Sequence, residues 1–101
     1  MAEYILSILR TQLMIVFSWG FSNAQRLPND AGLRFRVNGF KYQGIVEVIY
    51  NEGLDLFEVK LIQTGRIVEN VYLDNLVEVI DSMVEKTDNY EEDVKKWSNI
   101  K

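Results

Sequence analysis

Between Leu33 and Tyr72 the chain runs in short stretches of alternating apolar and polar residues. They are punctuated by Asn38-Gly39, Asn51-Glu52-Gly53 and Thr64-Gly65. Period-two alternation places one set of side chains on each face of a strand, and turn formers this closely spaced leave no room for the long crossover that parallel strands require. The stretch is expected to fold as successive antiparallel hairpins. Asn38-Gly39 between alternating runs predicts a type I′ turn, which needs positive φ at both central positions. In that register Val37 faces Phe40 and Phe35 faces Tyr42 on the core side, while Arg36 faces Lys41 and Arg34 faces Gln43 on the other. The strand then continues through "GIVEVIY", with Val46, Val48 and Tyr50 inward, and Gly44, lying mid-strand across from Leu33, suggests a bulge or a close approach. Gly53 suits a left-handed turn residue before a strand over 55–63, and "RIVENVY" gives a last short strand.

The flanks read as helical. Residues 2–12 carry an apolar face with Tyr4, Ile5, Ile8 and Leu9, whereas "LMIVFSW" is rich in β-branched and aromatic residues and predicts a strand over 13–19. Residues 22–32, "SNAQRLPNDAG", carry turn formers and read as a loop. Leu73, Leu76, Val77, Ile80, Met83 and Val84 form a helical stripe, with Asp74 or Asn75 as cap and Asn75 with Glu78 at capping-box spacing. Asp88 with Glu91, ahead of Tyr90, Val94 and Trp97, predicts a short final helix over 88–101, packed or frayed. The expected architecture is a single α+β domain over 1–101: a two-layer, mostly antiparallel meander of four to five strands with helices on one face. The runner-up is a small SH3-like or Sm-like barrel with flanking helices.

Composition limits the chemistry. The 101 residues include no cysteine and no histidine, so disulfides, thiolate metal sites, a cysteine nucleophile, a Ser-His-Asp arrangement and a zinc site of the usual kind cannot be built from this chain alone. Asp, Glu, Lys and Tyr remain as acid–base groups. The six glycines are scattered and fit neither a Rossmann nor a P-loop spacing. No cofactor and no metal are expected, and an enzyme is the least favoured class. The N-terminal stretch is apolar, but Glu3 and Arg10-Thr11-Gln12 interrupt it, so it supplies neither a secretory signal nor the about 20 consecutive apolar residues of a membrane span. A cytoplasmic location is expected.

The net charge of −4 is unevenly spread. Arg26, Arg34, Arg36 and Lys41 face only Asp30 in residues 26–41, whereas residues 69–101 hold nine acids against four bases. Arg34, Arg36 and Lys41 on one hairpin face are candidate nucleic-acid contacts, but Phe35, Phe40 and Tyr42 fall on the opposite, core side, where they cannot stack bases. Asp74, Glu78, Asp81 and Glu85 form an acidic ridge opposite the apolar stripe, read as a solvated face. Phe17, Trp19, Phe21 and Trp97 are candidate apolar interaction residues, through core packing or through a second subunit. The expected function is a non-enzymatic protein-protein interaction module, with a homodimer as one form. The alternative is a weak nucleic-acid binder using the basic hairpin face.

At "SWGF", "GLRFRVNGFKYQG", "YNEGLDLFEV" and "VYLDNLVEVIDSMVE", within residues 17–86, the sequence resembles small uncharacterised bacterial proteins of similar length that have no assigned activity. That resemblance implies a bacterial, cytoplasmic, single-domain protein. It carries over no catalytic or binding residue.

Overall fold

The computed structural model describes residues 1–85. The helix expected over 88–101, and with it Trp97, lies outside them. Helices α1 (Ala2–Arg10) and α2 (Leu13–Ser18) precede five strands, β1 (Ser22–Arg26), β2 (Gly32–Asn38), β3 (Gln43–Asn51), β4 (Leu56–Leu61) and β5 (Arg66–Val71), and helix α3 (Leu76–Val84) follows them. The strands form one antiparallel sheet in the order β1-β2-β3-β4-β5. The first and last strands are not paired, so the sheet is open and the barrel alternative does not hold. The fold is α+β, a meander with helices on one face.

Alternation sorts the two faces. Leu33, Phe35, Val37, Val46, Val48, Phe57, Val59 and Leu61 point inward, joining Ile5 and Leu9 of α1, Val16 of α2 and Leu76, Ile80 and Val84 of α3 in one core. Hydrophobic burial of about 25 cal/mol per Å2 over these side chains is the main force joining sheet to helices. At its N-terminus α1 has no cap from its own residues; Asp30 serves instead, pairing with the Met1 amine and accepting the Ala2 N–H. The amine and that N–H hold the Asp30 carboxyl below the usual carboxylate range.

The β2–β3 hairpin departs from the expected register. Asn38 pairs with Gln43, Val37 with Gly44, Phe35 with Val46 and Arg34 with Glu47. Each partner thus lies four residues beyond the predicted one, and because four is even the side chains that stay in the two strands keep their predicted faces, whereas Phe40, expected inward across from Val37, falls in the connection and is 44% exposed. Residues 39–42 connect the strands, and neither Asn38 nor Gly39 has positive φ, so no type I′ turn forms. The glycine serves a different need. A Cβ at position 39 would overlap the Val84 carbonyl, because this loop lies against the end of α3.

The contact satisfies helix-end acceptors that would otherwise be orphaned. Lys41 and Tyr42 both donate backbone N–H groups to Val84 O, at 2.9 and 3.2 Å, and Lys41 Nζ donates to Ser82 O at 2.6 Å. A cation at a helix C-terminus also meets the negative end of its dipole.

The β3–β4 and β4–β5 hairpins likewise have four-residue connections, since Asn51 pairs with Leu56 and Leu61 with Arg66. In the first of these the left-handed residue is Asp55, with φ 54°, and not Gly53. Gly44, with φ 150°, marks a close approach: a Cβ there would run into Gln63 Oε1 and the Tyr42 hydroxyl. That buried hydroxyl lies 2.5 Å from Gln63 Oε1 and 2.7 Å from Ile45 O, and it accepts the Gln63 N–H at 3.2 Å. At the sheet's margins the ladders are irregular. Register shifts interrupt β1–β2 between Ser22 and Gln25, and β4–β5 between Phe57 and Val59.

Three further expectations are corrected. Residues 13–18 are helical, not a strand. Val16 and Trp19 are both buried, three residues apart, a spacing that a helix puts on one face and a strand puts on two. Within the expected loop, β1 forms although its residues have little strand propensity and are all exposed, because the ladder to β2 recruits it. At the start of α3 neither Asp74 nor Asn75 makes a side-chain cap, and the capping box is absent. A 3-10 turn over Leu73–Asn75 precedes the helix, and its Leu73 carbonyl takes the Leu76 N–H.

Candidate interaction surface

The helix α2 is the sequence LMIVFS. It is set off from α1 by Gln12, whose backbone (φ −137°, ψ 56°) is not helical, and by Thr11, whose hydroxyl donates to Ile8 O at 2.6 Å. The break redirects the chain so that Val16 points into the core and Trp19, just past the helix, is 0% exposed. The indole stacks on Phe35, with centroids 6.5 Å apart, and Phe21 packs on the same ring at 4.8 Å. Trp19 Nε1–H donates to Asp81 Oδ1 on α3 at 2.9 Å.

With that side anchored, the opposite side is presented outward. Leu13, Met14 and Phe17 are 45%, 84% and 67% exposed. Residues three and four apart on a helix are neighbours, so Phe17 adjoins both Met14 and Leu13 and the three form one apolar patch. A single exposed leucine is ordinary on a protein surface; adjoining exposed apolar side chains on one short helix are not. Of the expected apolar candidates, Phe17 belongs to this patch, while Trp19 is core and Phe21 is half-buried beside it. Leu13 and Met14 were missed because a strand over 13–19 does not bring them together with Phe17. The helical spacing of Ile5, Leu9, Val16 and Trp19 is the signal that locates them.

The basic residues are dispersed and largely engaged. Arg34 sits directly across from Glu47 and donates Nε–H to its carboxylate at 2.8 Å, with a second contact through Nη2. On the next strand Lys60 is also across from Glu47, and its ammonium lies 3.5 Å from Glu58. Arg26 pairs with Glu3. Lys41 is at the end of α3, bonded to Ser82 O, rather than facing Arg36 on the strand. Arg36, exposed across from Ile45, makes no ion pair or side-chain hydrogen bond among the described residues. Arg34 and Arg36, two apart on β2, share the outer face of the sheet, while Lys41 lies in the β2–β3 loop at the end of α3.

The acidic ridge also divides. Asp74 and Glu78 are exposed, but Asp81 receives the Trp19 indole, and Glu85, 8% exposed, accepts the Phe40 N–H at 2.8 Å. Half the ridge thus fastens α3 to α2 and to the β2–β3 loop. Among the described residues no group of three or more acids is placed to hold a metal ion, and no helix is long and apolar enough to cross a membrane. No family model matches this chain, and no curated protein or solved structure matches it.

Proposed function

We propose that the chain is a non-enzymatic protein-protein interaction module of the cytoplasm that receives its partner on the outer face of α2. The observation that carries this reading is the patch of Leu13, Met14 and Phe17, held outward by an anchored Trp19. Such a patch loses nothing polar on being covered, and its burial follows the area rule that drives association. A composition without histidine or cysteine, and carboxylates spent on fastening helices, support a binding role over a catalytic one. The ion pair of Arg34 with Glu47 and the bond of Lys41 to the Ser82 carbonyl favour protein contact over the nucleic-acid alternative.

A photo-crosslinking amino acid placed at Phe17 in the full chain, and at Leu54 as an exposed apolar control, tests the proposal in cells. Adducts at position 17 that are absent at 54 are expected. Absence of adducts at position 17 would overturn the assignment of this face.

A further inference from the structure

We infer that Asn38-Gly39 is a modification site, a centre of spontaneous deamidation that the end of α3 holds shut and that opens when the β2–β3 loop lifts. Of the chain's eight asparagines only Asn38 precedes a glycine. Asparagine is thermolabile because the next backbone nitrogen can reach its side-chain amide, and a glycine there leaves that nitrogen unshielded. The Gly39 nitrogen loses its proton and attacks Asn38 Cγ; the N–Cγ bond forms and the Cγ–Nδ2 bond breaks. Ammonia departs with the proton, leaving a five-membered succinimide. Water then opens the ring at either carbonyl, to aspartate or to isoaspartate, whose main chain is one carbon longer. Water is the only co-reactant.

In the folded chain the reacting side chain is wet while the attack on it is restrained. Asn38 is exposed and Gly39 is buried. The Gly39 N–H donates to Tyr42 O at 3.0 Å, so the nitrogen that must be bared keeps its proton, and the Asn38 N–H donates to Trp19 O at 2.6 Å. Ring closure also turns the Asn38 Cα–C bond, which a strand residue paired with Gln43 resists. The loop is held down by the Lys41 and Tyr42 N–H groups on Val84 O, Lys41 Nζ on Ser82 O and the Phe40 N–H on Glu85 Oε2. Those acceptors all lie in the last turn of α3 and its cap, so they are lost together when that turn frays. Local opening of such a segment costs less than unfolding the domain. Conversion then bars the way back. Asn38 and Glu85 border one hollow, so an acid at position 38 sets a second carboxylate there, and an added backbone carbon moves Gly39 off the Val84 carbonyl against which it fits.

The full chain and a synthetic peptide of residues 33–44, incubated side by side in mildly alkaline buffer, test this by mass spectrometry of the fragment that carries position 38. Conversion in the folded chain should be at least about tenfold slower than in the peptide, and slowed by the same factor as deuterium exchange at the Lys41 amide, because both need the same opening. Glu85→Ala, which removes the acceptor of the Phe40 N–H, should speed conversion, and so should Lys41→Ala, a milder change at an exposed residue. If Glu85→Ala unfolds the chain, Lys41→Ala and urea well below the unfolding midpoint make the same test. Conversion as fast in the folded chain as in the peptide would overturn the inference, as would a slow rate indifferent to the loosened loop. A slowing as large as the global unfolding constant would also overturn it, since the site would then open only with the whole chain.

Discussion

Trp19 Nε1 and Asp81 Oδ1, 62 residues apart in sequence, are 2.9 Å apart in space, and their hydrogen bond ties the end of α2 to the middle of α3. It fixes which side of α2 faces in, and so which side faces out.

Asp81→Ala should leave the indole N–H of a fully buried Trp19 without its acceptor, at about 1–3 kcal/mol of stability. Asp81→Asn keeps an acceptor oxygen and should lose less. Urea unfolding followed by Trp19 emission in a Trp97→Phe background measures both, and equal losses would show that the bond itself contributes nothing.

Gly39→Ala drives a methyl group into the Val84 carbonyl, so the β2–β3 loop must lift from the end of α3. A loss of about 1–3 kcal/mol is expected, typical of overpacking. Gly53→Ala meets only the Asn51 side chain, at 3.6 Å and without positive φ, and should change stability by less than about 0.5 kcal/mol. Thermal melts of the two variants side by side decide whether position 39 is held by the helix or by its turn.

Labelled single-stranded DNA and RNA should show no salt-sensitive anisotropy change with the purified chain, because Arg34 is bound to Glu47 and Lys41 to Ser82 O. Binding that weakens with salt by roughly 0.7 to 0.9 log units per phosphate contact would revive the basic-face reading. It should then disappear in the Arg34→Glu, Arg36→Glu double variant.

Tyr50 donates its hydroxyl to Asp55 Oδ1 at 2.5 Å, and this bond to a carboxylate raises the phenol above its ordinary value near 10. A folded-state pKa above the unfolded one means that the bond's stabilisation is complete below pH about 10 and is lost as pH rises through the higher folded value. Tyrosinate absorbance should therefore contain one late-titrating component. It should vanish in Tyr50→Phe and move back toward 10 in Asp55→Asn, which keeps a residue tolerant of the left-handed backbone at that position.

The sheet was legible because its evidence is local. Alternation in 33–37, 46–50 and 57–61 assigned every core-facing residue correctly, and a pairing error of four residues left those faces intact. What sequence could not supply was the reason for Gly39, since α3 reaches that glycine from 45 residues further along the chain. The same holds for β1, whose strand conformation comes from its neighbour's hydrogen bonds. For the candidate surface, Phe17 was visible as an aromatic excess. Its companions were hidden by the strand propensity of Ile15, Val16 and Phe17, which burial of Val16 and Trp19 overrides.

The irregular ladders at β1 and β5 have a consequence beyond the single molecule. Unpaired backbone at the margin of a sheet is a template for further strands, and bulges there twist the template out of shape. Here both outer strands are so interrupted while the inner ladders are regular. Growth by strand addition is thus disfavoured at both margins.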